Sequence, residues 1–283
     1  MVWYRSGLVL MALAVLIFSF MAALAKFAAA TVPSAEVVFF RSAINGLLIL
    51  CIHYCRKKRG PLLGNNRKLL VLRGVLGAVG INLWFFALSE IPVAEATLLW
   101  LVAPVFVLPI AWLWLKETVT RLQVLMIPVV LAGVVLVLKP GFDMINLGGL
   151  AALGCALFSA GSHVTIRRLA DEDAHTIVLY FSVFATVSAA PLMLPGFVWP
   201  TGLVLLALLT IGVLSVAAQM LMTLAYHYDS AGRVVMITYT GVVFAGVWDF
   251  VFFAHLPGWM TVAGAVLIVG ALLGLRRGVG LRH

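Results

Sequence analysis

Two neutral amides inside long apolar runs, Asn82 and Gln219, are the first residues that suggest a chemistry for this chain. An amide donates and accepts hydrogen bonds without carrying a charge into an apolar environment. Such a side chain binds a polar group of a solute, or it joins two neighbouring helices through a hydrogen bond. We keep both interpretations for Asn82 and Gln219.

Three ionisable residues, Arg41, His163 and Asp249, also lie within apolar runs. The planar guanidinium of Arg41 suits a substrate carboxylate, and it equally suits a structural hydrogen-bond anchor. Asp249 is the candidate for proton coupling, because burial favours the protonated form of a carboxyl group. Alternatively it pairs with Arg41, which would keep it ionised. His163 is a candidate substrate contact, or else a residue of the core or the interface.

Aromatic residues complete the candidate site. Trp84 and Trp100 lie on two segments that flank a short turn at 89–92, and Tyr239 lies well inside a later segment. A cavity lined by aromatic rings and a few amides suits an amphipathic or weakly charged solute. The predicted substrate-binding residues are Asn82, Gln219, Trp84, Trp100, Tyr239, His163 and Arg41, with Asp249 as the predicted coupling residue.

Three further arginines, Arg73, Arg167 and Arg233, fall near the ends of apolar segments. A long basic side chain at such a position usually extends its charged group to the membrane–water interface. We therefore predict that all three serve topology and not binding.

The elements that position these residues follow from composition. Of the 283 residues, 64% are hydrophobic and only 10% are charged. An ordinary soluble domain is about 45–50% apolar and about 25% charged, and its fold still leaves about a quarter of the unfolded surface in water. A soluble enzyme, a disordered chain and a disulfide-rich secreted protein are thereby excluded. The lipid bilayer is the predicted partner of most of the chain.

The apolar runs divide into ten segments of the length that a membrane-spanning helix needs, about 20 residues. Backbone in contact with lipid must satisfy its own hydrogen bonds, so these segments are predicted helices of one all-α integral membrane protein. Their predicted bounds are 6–27, 36–55, 69–88, 93–115, 121–138, 148–167, 175–194, 201–225, 231–253 and 257–275. The connections between them are too short for a soluble domain.

The net charge of +9 sets the predicted orientation. Basic residues concentrate in cytoplasmic loops of membrane proteins, and with ten helices nearly all of them fall on the side that holds both termini. We therefore predict cytoplasmic termini in a bacterial inner membrane, and no nucleic-acid partner. The first segment also resembles a signal peptide, but its match to a later segment favours a membrane helix.

The two halves of the sequence, 1–140 and 141–283, resemble each other. Residues 16–19 match 156–159, and residues 94–138 align without gaps on 231–275. Asn82 then falls opposite Gln219. Because each half has five predicted helices, the second half enters the membrane from the opposite side. Inverted five-helix repeats are typical of transporters that bind substrate between the halves near the midplane.

Three stretches carry a resemblance to a known family: Pro92 to Pro104 (PVAEATLLWLVAP), Leu115-Lys116-Glu117, and Leu131 to Leu136 (LAGVVL). Together with Phe39-Phe40-Arg41 in the second segment, they resemble EamA-type members of the drug/metabolite transporter superfamily across essentially the whole chain. The second half departs from the pattern. Its counterpart of Pro104 is Gly241, and its counterpart of Glu117 falls in Phe253-Ala254-His255-Leu256-Pro257, without a second Glu.

The resemblance implies secondary transport of a small organic metabolite by alternating access, with export of an amino acid or a related amphipathic compound as the first expectation. Import of a vitamin-like or nucleotide-like metabolite is the alternative. Nucleotide-binding and zinc-protease motifs are absent from the sequence, and no nucleophile–base pair stands out, so we predict neither an enzyme nor a bound cofactor or metal. The three cysteines are predicted to be small core residues.

Overall fold

The computed structural model describes residues 6–56, 61–91, 93–138, 146–253 and 259–279. Every regular element within those ranges is a helix. The α-helices are α1 (Gly7–Ala28), α2 (Ser34–Cys55), α3 (Arg67–Glu90), α4 (Val93–Trp100), α5 (Ala103–Ile110), α6 (Arg121–Leu138), α7 (Leu147–Arg168), α8 (Ala174–Met193), α9 (Gly202–Tyr228), α10 (Ala231–Met236), α11 (Thr240–Phe253) and α12 (Trp259–Val279). A π-helical turn, Ala111–Leu115, continues α5.

Seven of the described helical segments are long and apolar enough to cross a membrane. They are Gly7–Ala25, Ser34–Cys55, Arg67–Ala87, Ala96–Leu115, Leu147–Arg168, Ala174–Gly196 and Gly202–Tyr228, with shorter apolar helices at Arg121–Leu136, Ala231–Phe244 and Val262–Ala271. The predicted class, an all-helical integral membrane protein, is confirmed. The count of ten spans stays a prediction, because only seven segments meet the length requirement in the described ranges.

Side-chain caps fix where several helices begin. The Oδ1 atom of Asn66 accepts the backbone N–H of Leu69 at the start of α3, and that of Asn146 accepts the N–H of Gly149 at the start of α7. Asp173 accepts the N–H of His175 and so begins α8. Each cap supplies an acceptor to an N–H group that the first helical turn leaves unpaired.

Two helical rods are interrupted near their middles. The first is interrupted at residues 101–102, between α4 and α5, just before Pro104. The second passes from α10 through a 3-10 turn, Ile237–Tyr239, into α11. In the second rod the hydroxyl groups of Thr238 and Thr240 donate to the carbonyl oxygens of Val235 and Ile237. Such local bonds compete with the regular helical ladder and bend helices.

Helix packing places α3 between α7 and α8, and α9 between α1 and α2. In addition, α5 packs on α7, α11 packs on α1, α2 packs on α8, and α6 packs on α12. Glycines let α3 approach α8 closely: a Cβ atom at Gly77 would overlap the Phe181 ring at 2.7 Å, and one at Gly74 would overlap Phe184 at 2.5 Å. The interior of α3 is thereby pressed against its neighbours.

Candidate functional site

The most deeply buried arginine or lysine among the described residues is Arg73, six residues into α3, and its exposed fraction is 2%. Its Nη1 atom donates to the hydroxyl oxygen of Ser162 on α7 at 2.7 Å. The guanidinium carbon lies 4.6 Å from the centre of the Phe181 ring on α8. The prediction that Arg73 reaches the interface is wrong, because α3 turns this face toward α7 and α8 and not toward lipid or water.

The Arg73 guanidinium is only partly hydrogen-bonded. Its Nε–H group is buried and has no partner among the described residues. The ion pairs found in the same part of the chain involve Arg56, Arg167 and Arg233, and none includes Arg73. Burying a charge without a counter-charge is costly, so native proteins nearly always pair it.

His163 and Tyr226 extend the polar surroundings of Arg73. The imidazole of His163, next to Ser162 on α7, stacks on the Tyr226 ring of α9, with 5.2 Å between ring centres and 23° between planes. The Nδ1 atom of His163 and the hydroxyl of Tyr226 are both buried, and neither has a hydrogen-bond partner in the described structure. We refer to Arg73, Ser162, His163 and Tyr226 as the Arg73 cluster.

A line of buried polar groups leads from this cluster toward the middle of the bundle. Gln219, Thr223 and Tyr226 stand four and three residues apart on α9, a spacing that places them on one helix face. Each is at most 4% exposed, and each carries a polar atom without a partner among the described residues. The rise of a helix separates Gln219 from Tyr226 by about 10 Å. We call these three residues the α9 stripe.

Unpartnered buried polar atoms are rare in native proteins, where about 90% or more of such groups are hydrogen-bonded. Among the described residues, six of the eleven such atoms lie on α3, α7 and α9, and four lie on α2, at Glu36, Ser42, Asn45 and His53. The group on α3, α7 and α9 is the candidate set of contacts for other polar atoms. Neutral side chains such as those of the stripe can hydrogen-bond a polar group whatever its charge, whereas a guanidinium favours a negatively charged group.

An ion pair lies beside this cluster, at the end of α7. The Nε atom of Arg167, one turn beyond His163, lies 3.0 Å from Oε1 of Glu117. Glu117 also accepts the backbone N–H of Ala231 at 2.8 Å, and Nη1 of Arg167 donates to the carbonyl oxygens of Tyr226 and His227. We call this set of contacts the Glu117–Arg167 lock. It joins the ends of α7 and α9 to the first residue of α10.

A backbone irregularity positions Glu117. Lys116 has a positive φ of 58°, a conformation that non-glycine residues adopt rarely. The left-handed residue ends the π-helical turn at Leu115 and redirects the chain toward α7 and α10. Sequence reasoning noted Glu117 only as part of a family motif, since its partners are 50 and 114 residues away.

The same end of the bundle carries a second polar network. Arg56 pairs with Asp173 at 2.8 Å, and the Nδ1 atom of His175 lies 2.9 Å from the same carboxylate. Glu172 accepts the backbone N–H groups of Asn65 and Asn66. We call this end, where α3 and α8 begin and α2, α7 and α9 end, the basic end. Its loops are tied together by charge-assisted hydrogen bonds.

The two amides predicted as a pair have different surroundings. The Nδ2 atom of Asn82 donates to the carbonyl oxygen of Ala78 and to the hydroxyl of Ser188 on α8, both at 2.8 Å. Asn82 therefore joins α3 to α8. Gln219 is 4% exposed, and its Oε1 atom has no hydrogen-bond partner in the part of the chain that the structure describes.

The predicted aromatic residues lie apart from the Arg73 cluster. Trp84 and Trp100 contact each other with 5.9 Å between ring centres, and Trp84 lies in the last two turns of α3, away from the basic end. Tyr239 is fully buried at the interruption between α10 and α11, and its hydroxyl has no described partner. The structure thus brings the two tryptophans together and places Tyr239 at the interrupted rod.

The remaining charged candidates lie on α2 and α11. The guanidinium of Arg41 is half-buried and lies 6.0 Å from the ring centre of Phe18. Asp249 falls in α11, but its side chain lies outside the described residues. Its neighbour Trp248 donates from Nε1 to the hydroxyl of Ser19 on α1 at 2.8 Å. No group of three or more metal-ligating side chains occurs among the described residues.

Comparison with known proteins places these features in a family. The chain matches the EamA-like transporter family twice, over residues 5–139 and over residues 146–277. It is 39% identical over 276 residues to a pseudopaline exporter of Pseudomonas aeruginosa (strain UCBPP-PA14), and the match covers 96% of each chain.

More distant relatives include human solute carrier family 35 member G1, 29% identical over 86% of this chain and 71% of that protein. A riboflavin transporter of Vibrio cholerae is 28% identical over 84% of this chain and 80% of its own length. One solved crystal structure has the same fold, with a TM-score of 0.82, 22% identity, and coverage of 96% of this chain and 98% of the other.

Proposed function

This chain belongs to the EamA-like transporter family, and we propose that it is a secondary transporter that exports a small organic metabolite by alternating access. Its named relatives are transporters and not enzymes. The export direction rests on the 39% identical pseudopaline exporter. The proposed cargo class is an amino acid or a related amphipathic compound.

The proposed architecture is ten membrane helices in two inverted repeats, 1–140 and 141–283. The double match to one family supports it. Helix packing supports it as well. If α1 to α6 of the first half correspond in order to α7 to α12 of the second, the α3–α7 contact corresponds to α9–α1, and the α5–α7 contact to α11–α1. The two interrupted rods also coincide, because residues 101–102 align with 238–239, inside the 3-10 turn Ile237–Tyr239.

Interrupted helices in corresponding positions of two repeats usually border the substrate site of a transporter. Tyr239 lies at one interruption, and the α9 stripe begins near the middle of its helix. The observation that carries the proposal is this continuous line of unpartnered polar groups, which leads from mid-bundle to the Glu117–Arg167 lock. A solute path that is closed at one end is what alternating access requires.

We also propose that the basic end faces the cytoplasm of a bacterial cell, with both termini on that side. The support is the concentration of basic residues there, which matches the charge bias of cytoplasmic loops. A reporter enzyme fused after His283 is expected to be active only if it folds in the cytoplasm. External activity would contradict the count of ten helices.

Asp249 stays the proposed coupling residue. A proton relay there predicts that Asp249→Asn keeps solute exchange between vesicles and medium and loses its acceleration by an imposed pH gradient. A structural pair with Arg41 predicts instead a loss of folded protein, with recovery when Arg41 is neutralised as well. We favour the structural pair, so that clean loss of the pH response with exchange preserved would overturn our preference.

Import of a riboflavin-like compound is the second candidate function. The riboflavin transporter of Vibrio cholerae supports it among the relatives. Within the chain, the Trp84–Trp100 pair offers ring faces on which a flat aromatic solute would stack. This candidate differs from the first in both the shape and the direction of the cargo.

Counterflow in liposomes tests the proposed function. The full-length chain is purified, reconstituted, and loaded in turn with phenylalanine, histidine, pseudopaline or riboflavin before addition of the labelled compound outside. Accumulation of unaltered label, absent from protein-free liposomes, is the expected result for at least one amino-acid-like compound. Accumulation of riboflavin alone would favour the second candidate. Recovery of a chemically altered compound would contradict a transport function.

A further inference from the structure

We infer that the Arg73 cluster is the carboxylate-binding part of the substrate site, so that the cargo carries a free carboxylate which Arg73 binds after the cargo enters from the basic end. This inference rests on the proposed function and goes beyond it, because it names one chemical group of the cargo and the side chain that selects it. From sequence alone, Arg41 is the candidate for binding a carboxylate, with a structural anchor as the alternative.

The first support is an unbalanced charge. Arg73 is 2% exposed, so water does not solvate it as it would a surface arginine. The acidic residues that form ion pairs in the described structure, Glu117, Asp173 and Asp229, are all paired with other basic groups. A buried cation without a counter-ion is strongly disfavoured, and a transient anionic solute supplies that counter-ion.

The second support is the orientation of the guanidinium. Ser162 accepts a hydrogen bond from Nη1 at 2.7 Å, and the Phe181 ring lies against the face of the group. Gly77 lies one turn along α3. Because it has no Cβ atom, the Nη1 atom of Arg73 and the Phe181 ring have room beside it. These contacts hold the guanidinium in one plane while its Nε–H stays without a described partner. A guanidinium fixed in this way presents a two-pronged donor edge to a carboxylate.

The third support is the set of neutral groups around the cation. The rings of Tyr226 and His163 stack on each other. The Tyr226 hydroxyl and the Nδ1 atom of His163 are buried and have no hydrogen-bond partner among the described residues. In the inferred site they hydrogen-bond the carboxylate and add no second positive charge beside Arg73. Gln219 and Thr223 continue the same helix face toward mid-bundle, where the rest of the solute would lie.

A single fixed cation favours a carboxylate over a phosphate group. A carboxylate carries one negative charge, which the Arg73 guanidinium balances. A phosphate monoester carries about −1.5 to −2 charges at pH 7, and those oxygens usually require more than one basic group. Among the other arginines at this end, Arg56, Arg167 and Arg233 are already engaged with carboxylates, and Arg67, Arg121 and Arg168 are exposed.

Paired compounds that differ only at the carboxyl group test the inference. The full-length chain is reconstituted in liposomes loaded with phenylalanine and phenylalaninamide, histidine and histidinamide, pseudopaline, riboflavin and glycerol 3-phosphate. Export of each compound is measured by mass spectrometry. The same compounds are added to the detergent-solubilised protein, and the shift of its melting temperature reports binding. Arg73→Gln, Arg73→Lys and wild type are compared, with Arg67→Gln, an exposed arginine of the same helix, as the matched control.

The expected result for the wild type and Arg67→Gln is preference for the free carboxylate over its carboxamide by at least about tenfold in transport, the change that loss of one charge-assisted bond predicts. In Arg73→Gln the preference falls to near unity. Arg73→Lys retains part of it, because an ammonium attracts the carboxylate without the two-pronged geometry. A purely structural role of Arg73 would lower the transport of both members of a pair equally.

Three outcomes would overturn the inference: equal transport of acids and amides by the wild type, preference for glycerol 3-phosphate or riboflavin, or an unchanged preference in Arg73→Gln. If Arg73→Gln does not fold, the selectivity of Arg73→Lys decides between the two roles by the same criterion. Stabilisation by the acids alone, abolished by Arg73→Gln, with no export of any compound would keep the binding site and overturn the proposed transport function. Neither binding nor export would overturn both.

Discussion

Two arginines near the same end of the bundle, Arg73 and Arg167, have opposite surroundings. Arg167 pairs with Glu117 and donates to two backbone carbonyl oxygens. Arg73 has one hydroxyl and one aromatic ring as its described partners, although it is the more deeply buried of the two. The difference indicates that the first arginine holds helix ends together, whereas the second is available to a ligand.

Their closeness links the two roles. His163 of the Arg73 cluster is one helical turn before Arg167 on α7, and Tyr226 contributes its ring to the cluster and its carbonyl oxygen to the lock. In the proposed export path, a solute that enters from the basic end must therefore displace the contacts of Arg167 before it reaches the cluster. With the contacts of the Glu117–Arg167 lock formed, we expect the basic end to be closed to solute.

The largest effect is expected from the residue that makes room for Arg73. In Gly77→Ala the new Cβ would overlap the Phe181 ring and the Arg73 guanidinium, and overpacking of a close-packed site costs about 1–3 kcal/mol. We expect a lower melting temperature in detergent and loss of export. Gly270→Ala is the matched control, because a Cβ at Gly270 meets no described atom within 4 Å. Equal melting temperatures for both variants would show that Gly77 does not constrain Arg73.

The next effect concerns the lock. In Arg167→Gln the charge-assisted bonds to Glu117 are lost, and loss of such a bond is worth about 1.5–3 kcal/mol. A cysteine placed at Thr223, in a background without the native cysteines, should then react at least about tenfold faster with a thiol reagent applied at the basic end. Modification rates are measured by mass spectrometry on inverted membrane vesicles.

Arg233→Gln is the control for the lock. Arg233 also forms an ion pair, with Asp229, but its side chain is 41% exposed, and exposed pairs contribute little. We expect its labelling rate to equal that of the parent. Faster labelling in Arg233→Gln than in Arg167→Gln would place the closing contact elsewhere and remove the contrast between Arg73 and Arg167.

How much of this was accessible from sequence depends on the range of the interactions. An apolar segment is recognised from residues that are consecutive in the sequence, so composition alone predicted the helical membrane class. The alignment of 94–138 with 231–275 also places the two helix interruptions opposite each other. By contrast, Arg73 stands six residues from a helix end, where an arginine usually extends to the interface. Only the packing of α7 and α8 against that face shows that it is buried.

The same limit applies to the lock and to the paired amides. Glu117 meets residues 50 and 114 positions away, and no local pattern identifies those partners. Asn82 and Gln219 correspond in the repeat. Asn82 nevertheless donates to Ser188, whereas the Oε1 atom of Gln219 has no hydrogen-bond partner among the described residues. Repeat symmetry relates backbone positions, and side-chain partners follow from residues that the two halves do not share.

A moderate effect should separate those two amides. Asn82→Leu removes the bond to Ser188, and hydrogen bonds between membrane helices average about 0.6 kcal/mol, so a small decrease in melting temperature is expected. Ser188→Ala should add little to it, because the partner is already lost. Gln219→Leu should keep the melting temperature and lower the export rate per folded molecule several-fold. The opposite result, with export lowered by Asn82→Leu and the melting temperature lowered by Gln219→Leu, would indicate that Asn82 and not Gln219 contacts the solute.

The smallest effect is expected at Arg41, the arginine that sequence reasoning proposed as the carboxylate clamp. It is half-buried, and its described contact is with the Phe18 ring at 6.0 Å, the outer limit of a cation–π interaction worth about 0.5–1 kcal/mol at exposed sites. Arg41→Gln should therefore change export by no more than about fivefold, and it should keep the preference for carboxylates over carboxamides. The comparison with Arg73→Gln uses the same reconstituted vesicles and the same paired compounds. If Arg41→Gln abolishes the preference and Arg73→Gln preserves it, burial without a counter-ion is not what marks the binding arginine in this fold, and the roles of the two residues are reversed.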